Sequence, residues 1–547
     1  LPLSGTAASS RGSHKHPALD TSHRALKYGP VVSPLLREHD PKVGPMTVAP
    51  NSKQSEHPPR VEETRRLSGQ MGMTSLVLSV LAFSAPIVAV SGYIPFTIIF
   101  AGEAAPVAFI TATVLLLIFS VGYIAMTRAL PTTGAFYAYI TSGMGKTAGL
   151  GAAFLAVVAY LALLAGVYVF AGITVTSLIS SFGGPETPWW TWALVGWVLV
   201  STLGYFHVEL SAKVLSIVMV LEVTLVMIFN VATLAKGGAQ GLSFAPLSPV
   251  EFAKGDMPVA MVFVVMVFIG FEATALYRDE VKSPDTTVPR STYVAVIFIG
   301  VLYTLSCYAL VSAYGSAAVE TATNDPATMF GNAVGLFVGP AFAQIAFVLI
   351  ATSALAALLS IHNVIARYLH NLGVDRALPT YLSRVHRHHK SPHTASNTTA
   401  VVVAIGILPF LFGGSDPALL ISQLGGLGST GILALMALVS LAVIVWFRRR
   451  PNLRSRFTVW QVIIAPFIAF ATFSLIIVLV IMHFELVVGG DPGQSLTLLL
   501  VLGGALVSGI SAAAYFRFSR PEIYAGLGTA HSGSGEEFQA EVPSPRD

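Results

Sequence analysis

The chain has little charge and almost no cysteine. Only 11% of its 547 residues are Asp, Glu, Lys or Arg, against roughly 25% in an ordinary soluble domain. That scarcity excludes a soluble enzyme of the usual kind and a highly charged disordered chain. It also excludes a nucleic-acid partner. The formal balance is +4, but the cations are too few to build a basic face. The single cysteine, Cys307, excludes an internal disulfide framework and a cysteine-rich metal site. No P-loop segment is present, so direct drive by ATP is unsupported.

What the chain has is length without charge. Hydrophobic residues make up 54% of it, and the mean hydropathy is +0.72. A membrane-crossing helix needs about 20 consecutive, mostly apolar residues. The uncharged runs at 73–102, 147–185 and 326–366 all exceed that. The chain reads as an all-α, multi-pass integral membrane protein. Twelve spans are expected, near 73–97, 104–128, 149–182, 188–206, 209–235, 257–277, 291–315, 333–369, 394–413, 417–447, 457–483 and 495–518. The third, eighth and tenth are longer than a perpendicular crossing requires and should tilt or project beyond the bilayer.

The ends differ from the middle. Residues 1–72 hold nine prolines, ten Lys or Arg, five His and one aromatic residue, Tyr28. Such a segment buries too little apolar surface to offset its ordering entropy, so it reads as a disordered basic tail. It has no apolar stretch of the signal-peptide kind. The chain begins with Leu1, and Met46 and Met71 are candidate starts. Residues 519–547 read as a second tail, polar and disordered. Lys and Arg collect in cytoplasmic loops. Loops on the N-tail side carry sixteen of them, while the opposite loops carry only Lys236 and Lys254. Both termini are therefore expected in the cytoplasm, with the protein in a plasma or inner membrane.

Two spans are interrupted. The first reads Phe83-Ser84-Ala85-Pro86-Ile87 at mid-membrane, and the sixth reads Phe268-Ile269-Gly270-Phe271-Glu272. Proline removes a helix hydrogen bond and clashes with the preceding turn; glycine is a weak helix former. Singly, each reads as a kink or a packing glycine. Backbone freed at membrane depth is tolerated where it lines a protein-walled cavity, and breaks at matching positions of two five-helix halves point to a transporter site. Broken helices offer donors to a carboxylate and acceptors to a cation, and an amino acid carries both charges.

Several segments resemble the amino acid–polyamine–organocation (APC) permeases. Gly270-Phe271-Glu272, then Asp279-Glu280, Pro284 and Pro289-Arg290, is similar to their sixth span and the loop after it. Residues 131–139, with Pro131, Gly134, Tyr137 and Tyr139, resemble the loop between spans two and three. Arg367, Gly373, Asp375, Leu378-Pro379 and Arg384-Val385-His386 resemble the loop between spans eight and nine. The resemblance runs in order over about 73–518. It implies a LeuT-like fold of two inverted five-helix repeats (73–235 and 257–447) plus two extra helices (457–518). It also implies transport of an amino acid or amine by alternating access, coupled to protons or to exchange. Many members break span one with a Gly-Ser-Gly-type segment, where this chain has Ser84-Ala85-Pro86. By this reading Ser84, Ala85, Pro86 and Ile87 present backbone groups to the substrate's carboxylate. Phe268, Ile269, Gly270 and Phe271 receive its amino group and shape its side-chain pocket, one phenylalanine serving as a lid. Tyr160 is a possible gate.

Among the charged side chains, only Glu222 and Glu272 fall well inside spans. Intramembrane carboxylates are costly and usually functional, and low dielectric favours the neutral, proton-carrying form. The resemblance links Glu272 to gating and proton movement; a structural anchor for unwound backbone is the other role open to it. It also places Glu222 where some proton-coupled permeases carry lysine. Proton carrier and internal polar anchor are both open for Glu222.

Other signals carry less. Gly426-Leu427-Gly428-Ser429-Thr430-Gly431 matches a dinucleotide motif but has no preceding strand, so helix packing is expected. Asn397-Thr398-Thr399 matches a glycosylation triplet at a span end. His386, His388, His389 and His393 lie among Arg384, Arg387 and Lys390, which suits anionic lipid better than metal. His362 and Asn363 are expected to pack. No cofactor is implied. The expected partners are a small amino acid or amine, protons and the lipid bilayer; oligomeric state is not legible. A permease-like receptor without transport and a sodium-coupled symporter of another solute are the alternatives.

Overall fold

The computed structural model describes residues 72–130, 136–206, 212–272, 274, 281–386, 391–412, 414 and 416–528. Among them every element is helical. The principal helices are α1 (Met73–Phe83), α2 (Pro86–Gly92), α3 (Ile94–Ala101), α4 (Ala105–Ala129), α5 (Phe136–Met144), α6 (Lys146–Ser181), α7 (Trp189–Tyr205) and α8 (Ala212–Lys236). There follow α9 (Met257–Met266), α10 (Pro284–Tyr314), α11 (Pro340–Val374), α12 (His393–Phe412), α13 (Pro417–Arg448), α14 (Ala465–Met482), α15 (Pro492–Ser519) and α16 (Pro521–Gly526).

Proline and aspartate set many of the starts. Proline is tolerated in a first turn, where its missing N–H would find no helical partner. It opens α2, α4, α9, α10, α11, α13 and α15 in this way. Three of these starts also have an aspartate cap. Asp256 accepts from the Val259 N–H at 3.1 Å, Asp416 from Ala418 at 3.0 Å, and Asp491 from Gly493 at 2.8 Å.

Each expected span overlaps a helix. Nine helices among the described residues are long and apolar enough to cross a membrane. The fourth, sixth and ninth expected spans are carried by α7, α9 and α12, outside that set. The third, eighth and tenth are indeed long: α6, α11 and α13 run 36, 35 and 32 residues.

Helix α6 is the centre of the bundle and packs against α5, α7, α11, α13 and α15. Of its most apolar stretch 78% is buried, against 22% for α15, which lies at the edge. Gly428 and Gly431 let α13 approach α6, and Gly426 faces Val487. A side-chain carbon at Gly428 would meet the backbone oxygen of Ala159 at 2.9 Å. Asn397 lies within α12, and His362 packs, its Nε2 being 2.9 Å from the Ser396 hydroxyl.

The loops that carry the family resemblance meet in space. Tyr137 of α5 donates to the Asp375 carboxylate at 3.2 Å. That carboxylate also accepts the Gly528 N–H at 2.8 Å. Residues 520–528, expected from sequence to belong to a disordered tail, are instead docked. Leu527 is buried beside Tyr137, Leu150 and Leu372, Tyr524 meets Thr147 at 3.2 Å, and Lys146 donates to the Ala525 carbonyl. A few apolar contacts inside a short polar segment escape a composition reading. Residues 1–71 and 529–547, the 131–135 part of the second loop motif, 273 and 275–280 with Asp279-Glu280, and 387–390 with His388 and His389 lie outside the described residues.

Candidate functional site

The break in the first span has a local cause. Pro86 cannot donate to the preceding turn, and it disfavours the helical region for the residue before it. Ala85 accordingly sits in the left-handed region at φ 45°, ψ 70°. The Ser84 hydroxyl folds back to the Leu81 carbonyl at 2.8 Å, completing the end of α1. Backbone in that region costs about 1–3 kcal/mol unless its surroundings hold it.

One thing that holds it is Glu222. This carboxylate, on α8 and 3% exposed, accepts the N–H of Ile87 at 3.3 Å. Ser353 of α11 lies close to it. Glu222 therefore ties the first break to α8.

The second break follows the end of α9 at Met266. Phe268 and Ile269 close tight turns onto the carbonyls of Val265 and Met266 at 3.2 and 3.0 Å. Gly270 then takes φ 116°, a conformation reserved in practice for glycine. Its N–H donates to the Glu272 carboxylate at 2.8 Å, and Tyr160 lies close to that same carboxylate. The Tyr123 hydroxyl donates to the Glu272 carbonyl at 3.0 Å. Both breaks are thus organised alike, with a buried glutamate receiving a freed backbone N–H.

A cavity of about 70 Å³ joins the two breaks. From the first come Ser84, Ala85, Val88, Ala89 and Tyr93; from the second, Met266, Val267 and Ile269. Helix α6 adds Tyr160, Leu163 and Val167, and α11 adds Ala357, Ser360 and Ile361. Of the residues expected at a site, Ser84, Ala85, Ile269 and Tyr160 line this cavity. Pro86, Ile87, Gly270, Glu222 and Glu272 stand behind its wall as the breaks and their anchors. Phe268 and Phe271 are fully buried and turn into aromatic packing, Phe268 against Tyr303 and Phe271 against Phe119 and Tyr123. The large rings on the cavity are Tyr93 and Tyr160 instead.

The other lining residues, among them Leu163 and Val167 of α6 and the α11 contributors, were missed. Leu163 and Val167 follow Tyr160 at i+3 and i+7, so helical periodicity from a suspected gate would have found them. Ala357 lies in the apolar stretch 354–359 and Ile361 follows Ser360, and no letter there marks which face meets a cavity.

The match to known families decides what this arrangement serves. The model of the amino acid permease family fits residues 69–507, which includes both breaks and every lining residue. The chain belongs to the amino acid permease family. It lies within the APC superfamily, and its function is secondary active transport of amino acids. At 22% identity it resembles the branched-chain amino acid permease BcaP of Bacillus subtilis (strain 168), over 68% of this chain and 79% of that one. It is 23% identical to the methylthioribose transporter of the same organism, over 50% of this chain and 55% of that one. It is 26% identical to the L-asparagine permease of Escherichia coli (strain K12), over 42% and 46%. The crystal structure of MhsT in complex with L-phenylalanine shares the fold, with a TM-score of 0.53 and 14% identity over 75% of this chain and 99% of that one. The permease is thus an all-α membrane protein of the LeuT type.

Proposed function

We propose that this permease moves its amino acid by alternating access and couples that movement to protons, with Glu222 and Glu272 as the carriers. The observation that carries the reading is the pairing of each buried carboxylate with a freed backbone N–H at a break beside one cavity. A proton on either group weakens its hold on that N–H, because charge-assisted hydrogen bonds are the stronger kind. Protonation and break geometry are therefore linked through the same atoms. In this reading the unwound backbone at 84–87 and 268–271 receives the substrate's carboxylate and amino groups, and Tyr160 couples the cavity wall to Glu272.

The proposal includes twelve crossings of a plasma or inner membrane with both termini in the cytoplasm, which the distribution of Lys and Arg supports. It includes two repeats, 73–235 and 257–447, each opening on a broken helix.

Purified permease in liposomes tests it. Counter-flow of labelled amino acid is expected with no gradient imposed, and net uptake is expected to rise when the exterior is made acidic. Uptake indifferent to the pH gradient but dependent on a counter-substrate would replace proton coupling by exchange. Binding without any flux would make the protein a receptor.

A further inference from the structure

We infer that the cavity selects amino acids with a neutral, apolar side chain of modest size, and that α11 sets the size limit through Ala357 and Ile361. The inference rests on the transporter reading and adds the substrate class to it.

The first ground is charge. No Asp, Glu, Lys or Arg is among the lining residues. The two buried carboxylates nearby are already committed, Glu222 to the Ile87 N–H and Glu272 to the Gly270 N–H. A cationic or anionic side chain brought into this cavity would have no counter-charge of its own, and an isolated buried charge is strongly disfavoured.

The second ground is hydrogen bonding. A carboxamide side chain presents two donors and an acceptor and requires partners for them when buried. One of the lining hydroxyls is already used: Ser84 donates to the Leu81 carbonyl. Most of the wall is aliphatic or thioether, from Val88, Leu163, Val167, Met266, Val267 and Ile361. Such a surface gains by receiving an apolar group in place of water.

The third ground is size. A cavity of about 70 Å³ exceeds the ~10–15 Å³ that one water needs. It is far below the roughly 300–1,000 Å³ of sites for drug-sized ligands. Ala357 and Ile361 are one helical turn apart on a helix that is continuous through this region, so their side chains form a fixed boundary.

The test is a competition panel on the unaltered full chain in liposomes, with labelled leucine as the probe and thermal shift of the detergent-solubilised protein as a separate measure of binding. Leucine, isoleucine, valine and methionine are expected to compete at concentrations at least ten-fold below those needed for lysine, glutamate or asparagine. Ile361→Ala is expected to raise phenylalanine uptake relative to leucine about ten-fold, the lower end of what a pocket change of this size does. Ala357→Leu is expected to reduce leucine uptake more than alanine uptake. Lysine, glutamate or asparagine competing within a few-fold of leucine overturns the inference, as does an unchanged substrate ranking in both variants. A leucine-induced thermal shift without flux would leave the substrate class standing and remove the transporter reading. Absence of both flux and thermal shift with every amino acid in the panel would remove both.

Discussion

The Glu222 carboxylate accepts the backbone N–H of Ile87 at 3.3 Å, although 135 residues separate them. The contact joins the middle of α8 to the start of α2, at the point where the first span is broken. Glu222→Gln separates the two roles of this side chain. The amide oxygen can still accept from Ile87, while the proton-carrying function is gone. Exchange is expected to survive in Glu222→Gln, with acid-driven accumulation lost. Counter-flow and pH-jump uptake on the same liposomes check this, and an acid-driven uptake equal to that of the unaltered chain would assign Glu222 a purely structural role.

Glu272 is a test of anchoring. Its carboxylate receives the Gly270 N–H at 2.8 Å in a fully buried setting. Glu272→Ala leaves that donor without its acceptor, which costs about 1–3 kcal/mol. Glu272→Gln keeps an oxygen in place and should cost less than half as much. Thermal midpoints of the solubilised variants give the ranking. If Ala and Gln fall together, the ionised group matters more than the acceptor for Gly270.

Legibility from sequence divides along physical lines. Proline at 86 and glycine at 270 act on their own backbone, so the two breaks were readable from a few adjacent letters. Glu222 and Glu272 were readable because a carboxylate in an apolar run is costly wherever it lies. The docking of Leu527 was not readable, since burial of one leucine depends on partners hundreds of residues away. The turn of Phe268 and Phe271 into the packing around Tyr303 and Phe119 was hidden for the same reason. A phenylalanine beside a break has two sides to face, and only the fold decides between them. The lining of α11 shows the limit most clearly, because Ala357 and Ile361 are apolar residues like most of their neighbours and only the fold decides which of them meets a cavity.

The two breaks make opposite demands on their special residues. Ala85 occupies the left-handed region at φ 45° with a β-carbon present, at an expected cost of about 1–2 kcal/mol. Ala85→Gly removes that cost and adds flexibility to the unfolded chain, so the net effect should be neutral to stabilising by up to about 1 kcal/mol. Gly270→Ala places a β-carbon at φ 116° and should destabilise by more than about 1 kcal/mol. Denaturation midpoints of the two variants should therefore move in different directions or by clearly different amounts. A lower midpoint for Ala85→Gly would mean that the Ala85 methyl, which lines the cavity, contributes packing that outweighs its strain.

The last prediction concerns the C-terminal segment. Asp375 is buried, and it accepts from Tyr137 of α5 at 3.2 Å and from the Gly528 N–H at 2.8 Å. Leu527, one residue earlier, packs against Leu150 and Leu372 beside Tyr137. These contacts hold one short segment by two different means, a polar anchor and an apolar plug. Asp375→Ala removes the acceptor that the Tyr137 hydroxyl and the Gly528 N–H share, at about 1–3 kcal/mol. Leu527→Ala removes an apolar side chain, at roughly 2 kcal/mol for a site near the surface of the bundle. If the segment docks as a unit, either change undocks it, and the second then costs little more. The double variant should fall short of the sum by at least about 0.5 kcal/mol, the scale of coupling between residues that share a structure. Full additivity of the two losses in thermal midpoint would show instead that Asp375 and Leu527 act separately, and that 520–528 is not a single docked element.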